Sequence, residues 1–147
     1  MRGWVTGLVC TVLVVLALAI AAVVAVTSPG ANTAMVDLEP GTCFELPDSV
    51  DSGTIDSVVT IDCTQPHLTE VVAVGVLGTD GREYPDDDVL FREVDQACRA
   101  VSPVTSDAYG LLPIAPTRDL WESFDGRYLC VAIPFGGEPV RGSVPTG

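Results

Sequence analysis

Residues Trp4 to Val26 form an unbroken apolar run of 23 residues, without a charge or a proline. As a helix rising ~1.5 Å per residue it reaches roughly 34 Å, enough to cross a hydrocarbon core of about 30 Å. The competing reading is a cleaved signal peptide, whose apolar region is usually about 7–15 residues and ends in an A-x-A pattern. Past the run, Ala31-Asn32-Thr33-Ala34 is A-x-x-A. Ala17-Leu18-Ala19 and Ala19-Ile20-Ala21 do match, but more apolar residues follow them. A retained span over 4–26 is therefore expected. Only Arg2 and the amino terminus precede it, and the next basic residue is Arg82. The positive-inside bias then leaves residues 1–3 in the cytoplasm and sends the remainder out of the cell. Cys10 sits near the start of the run behind bulky Val9, which does not suit a lipid-attachment cysteine.

Gly3, Gly7, Cys10, Ala17 and Ala21 recur near a 3.5-residue spacing and share one helix face. Small faces let a partner helix approach closely in lipid. Frequent Ala and Gly in the composition as a whole explain the same spacing without a partner. Residues 27–36 read as a short linker, because Pro29 and Gly30 stop the helix and small polar residues surround them. Residues 37–147 then make one small extracytoplasmic domain. It holds all 20 carboxylates of the chain against six of its seven arginines, and the net charge of the chain is −13. This excludes nucleic acid as a partner, since phosphate binding needs basic patches, and it disfavours an anionic lipid surface.

The five cysteines divide into one and four. Cys10 lies in the span. Cys43, Cys63, Cys98 and Cys130 lie outside, an even set in an oxidising compartment, which is how a disulfide framework looks. Cys63-x3-His67 invites a metal, but the paired close ligands usual for structural zinc are missing, so neither metal nor cofactor is expected. Of the three possible pairings, Cys43–Cys63 and Cys98–Cys130 are favoured. The first ties the opening turn to the end of a strand, and the second ties a helix to a later strand.

Local patterns predict an α+β domain with an antiparallel sheet and one main helix. Ile55 to Cys63 is rich in β-branched residues and reads as a strand. Glu70 to Leu77 is a nearly continuous apolar run and reads as a second, buried strand. The two are expected to pair across the Gln65-Pro66-His67 turn. Pro85 to Asp88 opens a helix on an Asp cap, and Leu90, Val94, Ala97, Cys98 and Val101 fall at helical spacing. Ser102 to Arg118, with three prolines, reads as loop, and Asp119 to Trp121 as a short turn. Tyr128 to Ile133 reads as a third strand, and Val140 to Val144 as a fourth.

No reaction stands out. His67 is the only histidine, and a general base needs a nucleophile and an orienting group beside it. Asp62 and Glu70 are near it in sequence, but no nucleophile elbow or triad-like serine is present. The plain reading of His67 is a turn histidine that bonds a backbone carbonyl or packs beside Pro66. Asp86-Asp87-Asp88 could attract calcium, yet no EF-hand spacing follows and a helix start accounts for it. Gly136-Gly137 precedes Glu138-Pro139 rather than a helix, so it is no phosphate loop.

Gly41-Thr42-Cys43-Phe44, then Val59-x3-Cys63-x2-Pro66-His67-x2-Glu70-Val71-Val72, then Ala97-Cys98, Trp121, Arg127-x2-Cys130 and Gly142-Ser143 resemble the septum-formation domain of actinobacterial membrane and secreted proteins. The resemblance covers about residues 40–144, and the Cys-x-x-Pro-His segment is its most specific part. Asp125-Gly126-Arg127 stands where the family carries Gly-Asp-Arg. The resemblance implies an extracytoplasmic domain, a proposed link to septation and no established enzymatic activity. The expectation is a membrane-anchored, non-catalytic interaction module whose partners are other membrane or envelope proteins. Gln65, Pro66, His67 and Trp121 are its candidate contact residues. The alternatives are an accessory subunit of a larger respiratory or transport complex, held by the small-residue helix face, and an enzyme centred on His67.

Overall fold

The computed structural model describes residues 30–46 and 55–147. The expected span at 4–26, with its face of Gly3, Gly7, Cys10, Ala17 and Ala21, lies outside the described residues. Among the described residues no helix is long and apolar enough to cross a membrane. The elements run β1 (Ala31–Ala34), a single 3-10 turn (Met35–Asp37), β2 (Cys43–Glu45), β3 (Ser57–Ile61), β4 (Thr69–Val76), α1 (Asp87–Val101), β5 (Tyr109–Ile114), α2 (Arg118–Ser123) and β6 (Arg127–Pro134). The six strands form one sheet in the order β1-β3-β2-β4-β6-β5, antiparallel at every pairing.

β6 sits inside the sheet and is covered on both faces, which is why, after Arg127, Tyr128 to Pro134 run on as apolar residues rather than alternating. Tyr128, Cys130 and Ala132 join one cluster with Val72, Leu90, Val94, Cys98, Trp121 and Val144. Leu129 and Val131 face the other way and pack with Met35, Leu38, Phe44, Val58 and Val71. A register shift between Val71 and Ala73 in β4 bulges the strand at Val72. The bulge puts Val72 and Ala73 together on the α1 side.

α1 covers that side with Leu90, Val94 and Cys98, spaced four apart. Its start differs in detail from expectation. Asp86 occupies the N-cap position with extended backbone, but its side chain makes no capping bond, and its carbonyl accepts from Val89 and Leu90 instead. Asp87 and Asp88 still place negative charge in the first turn, where the helix dipole favours it.

Four expectations are corrected. β3 and β4 do not pair, because β2 lies between them, with Cys43 opposite Ile61 on one side and Glu70 on the other. The Gln65-Pro66-His67 connection therefore spans two strand spacings, roughly 9–10 Å, instead of closing a tight hairpin. Ala31–Ala34, assigned to the linker 27–36, is an edge strand against β3, and Thr60 Oγ1 donates to the Ala31 carbonyl at 3.0 Å. Tyr109–Ile114, assigned to loop, is β5 on the opposite edge. Pro113 is compatible with an edge strand when its missing N–H would have faced away from the sheet. Val140–Val144 forms no strand; Val140 makes only an isolated bridge with His67.

Candidate functional site

The Cys-x-x-Pro-His segment closes one end of the sheet, where β2 begins, β3 ends and β4 begins. Cys43 opens β2 and is 1 % exposed. Cys63 lies two residues past β3 and is half-buried. The two are joined as a disulfide with Cα atoms 5.3 Å apart. Glu70, on β4, is the direct cross-strand neighbour of Cys43, and adjacent strands bring such side chains together. One ligand atom each from Cys43, Cys63 and Glu70 lie within 4.8 Å of one another.

His67 is 2 % exposed. Its backbone exchanges hydrogen bonds with Val140, N–H to Val140 carbonyl at 2.9 Å and Val140 N–H to its own carbonyl at 2.8 Å. Its Nδ1 lies 2.9 Å from the Gln65 carbonyl. A carbonyl only accepts, so Nδ1 carries the proton. In the neutral ring Nε2 is then a bare lone pair, 3.4 Å from Cys43 Sγ. A disulfide sulfur has no proton to give it.

Glu70 is 4 % exposed and accepts the Val144 N–H at 2.6 Å. Among the described residues no arginine pairs with it. The segment after β6 wraps this end further: the Gly142 N–H donates to the Cys63 carbonyl at 2.7 Å, and Arg141 donates to the Thr64 carbonyl at 3.0 Å. Outside the cluster, Asp62 accepts from the Thr64 N–H at 2.8 Å and its hydroxyl at 2.7 Å. These bonds, the backbone one first, hold the Asp62 carboxyl below the usual carboxylate range.

The expected contact residues do not form one surface. Gln65 and Pro66 are exposed, while His67 and Trp121 are buried. Trp121 belongs to the α1-side core. Its indole N–H donates to the Arg82 carbonyl at 3.2 Å, and Tyr84 meets its ring edge-on at 5.9 Å. The second expected disulfide, Cys98–Cys130, is present and buried, and it staples α1 to β6. Among the described residues, the ring nitrogens of His67 meet the Gln65 carbonyl and the Cys43 sulfur and no hydroxyl. Sequence reading noted Glu70 near His67 and missed its place beside Cys43. The available signal was a lone carboxylate leading an otherwise apolar strand.

A second concave feature, a groove of about 470 Å³, wraps the β5 edge. Met35, Phe91, Leu112, Ile114, Leu120 and Leu129 line it. Arg127, at its rim, donates to the Leu38 carbonyl and to Glu39, while its buried Nε has no partner among the described residues.

A family model described as septum formation matches residues 6–109, more than half of the chain. The chain belongs to the septum-formation family. The septum-formation match includes Cys43, Cys63, His67, Glu70 and Cys98, but not the 140–144 segment that wraps the disulfide end of the sheet. Trp121 and Cys130 lie beyond it. No curated protein and no solved structure matches the chain.

Proposed function

We propose that this septum-formation chain is a membrane-anchored, extracytoplasmic, non-catalytic interaction module acting in septation or envelope assembly. The observation that carries the reading is the family match over residues 6–109. The apolar run at 4–26 supports the anchor, and the even cysteine set beyond it supports an oxidising exterior. The non-catalytic reading is supported by the surroundings of His67, whose ring faces a carbonyl and a disulfide sulfur rather than a nucleophile. The apolar groove at the β5 edge supports contact with another protein.

Purification of the full chain from native membranes in mild detergent, with mass spectrometry of the co-eluting proteins, tests the reading. Division and envelope-assembly proteins are expected, together with a septation defect on depletion. A stoichiometric energy-transducing complex in the eluate would instead make the chain an accessory subunit. Turnover of a cell-wall substrate by the purified full chain would overturn the non-catalytic reading.

A further inference from the structure

Resting on the function proposed above, we infer that the groove at the β5 edge is where the partner protein docks, and that its occupant is an apolar partner segment carrying one carboxylate that meets Arg127. Leu112, Ile114 and Leu129 line the groove from the sheet face turned away from α1, where the two β5 side chains are only partly buried. Met35 and Phe91 of α1 complete the apolar wall. Phe91 is half exposed and is no part of the Leu90, Val94 and Cys98 stripe that seats the helix. The core therefore does not account for an aromatic ring at that position, whereas aromatic side chains are enriched in protein contacts. A volume of about 470 Å³ belongs to a pocket that encloses anchoring groups rather than to a flat contact.

Charge selects the occupant. The chain has 20 carboxylates against seven basic residues, yet among the described residues the groove is lined by no carboxylate and by one cation, Arg127. Arg127 stands two residues before Leu129 and on the same face of β6. Its Nη2 serves the Leu38 carbonyl and Glu39, whose side chain is largely exposed, and its buried Nε has no partner among the described residues. A carboxylate binds a guanidinium through two parallel hydrogen bonds, and one arriving with the partner would take up the nitrogens that Glu39 leaves. A basic side chain at the same place would be desolvated beside a like charge. Two other occupants fit less well. The chain's own apolar run leads into β1, at the opposite edge of the sheet, five strand spacings or roughly 24 Å from β5. A second copy would bring a net charge of −13 up against the same charge.

The test places a benzophenone side chain at position 91 of the full chain, and in a second sample at position 135, whose phenylalanine is exposed away from the groove lining. Both are irradiated in native membranes and the cross-linked peptides are sequenced by mass spectrometry. Position 91, and not 135, is expected to capture an apolar protein segment containing one Asp, Glu or terminal carboxylate. That segment, made as a synthetic peptide, should bind the full chain in detergent. Its amide analogue should bind about tenfold or more weakly, the size of a lost charged hydrogen bond. Arg127→Gln should weaken the peptide by a like factor and make it indistinguishable from the amide, and Phe91→Ser should weaken both. The amide comparison uses the wild-type chain, so it stands whether or not a variant folds, and circular dichroism follows the variants. Capture of lipid, of the chain itself or of a second copy, or no capture, overturns the assignment, as does equal binding of peptide and amide. Envelope proteins that co-purify equally with wild type and with folded Phe91→Ser would leave the interaction module standing and remove the groove from it. Absence of any such protein from the wild-type eluate would remove the module itself.

Discussion

Trp121 illustrates how a side chain that looks like a recognition group can be core. It is 2 % exposed, its one polar atom is satisfied by the Arg82 carbonyl, and Arg82 also lies over its ring at 5.3 Å. Trp121→Ala is expected to cost about 3–5 kcal/mol, as large cavities do, measured by urea denaturation of the oxidised chain. Two exposed carboxylates make a pH prediction. Asp62 and Asp125 are held below their ordinary range by the backbone N–H and hydroxyl of Thr64 and Thr79 respectively. A depressed folded pKa stabilises the fold above the unfolded value near 3.9, and that contribution is lost as pH falls through the folded value. Carboxyl NMR titrations should therefore place both midpoints below that of an unstructured Asp, and Thr64→Val and Thr79→Val should each move its partner back up. His67 and Glu70 were visible in the sequence as neighbours of Cys63. Their convergence was not, because it depends on which strand lies beside β4.

The elements that sequence pattern identified best are those whose own periodicity faces a single partner. Leu90, Val94 and Cys98 mark α1 by spacing alone, and Arg127–Pro134 announces a strand buried on both faces. β5 and β1 were missed for opposite reasons. Pro113 disguises β5, which tolerates it only at an edge, and small polar residues disguise β1 as linker. Strand order was also hidden, because β2 is three residues long and gains its place from pairing with both β3 and β4. Two element-level predictions follow from the packing. Gly75 faces Tyr128 across the β4–β6 pairing, and a Cβ there would overlap the tyrosine ring. Gly75→Ala should cost about 1–3 kcal/mol through overpacking, read as a lowered melting temperature. Replacing Cys98 and Cys130 by Ala frees a loop of sequence separation 32. It should cost about 3–4 kcal/mol in chemical denaturation, on the chain-entropy account.

For the molecule as a whole, the two cross-links act on loops of separation 20 and 32 that together enclose much of the sheet. Small domains have only about 5–15 kcal/mol of stability in total, and two such closures are a large part of it. Full reduction of both in metal-free buffer should therefore abolish the cooperative thermal transition, seen by near-ultraviolet circular dichroism with and without dithiothreitol. The α+β class was readable from local pattern and the two staples from the even set of four cysteines beyond the apolar run. The arrangement of strands was not, since it is decided by contacts far apart in the chain. β1 adds a constraint on reach. With the span proposed to close at Val26, only Thr27 to Gly30 separate it from a strand already hydrogen-bonded into the sheet. Four extended residues stretch about 14 Å at most. Were the chain anchored there as proposed, so short a leash would keep the β1 edge beside the lipid, and a partner would have to be brought to the domain rather than reached for.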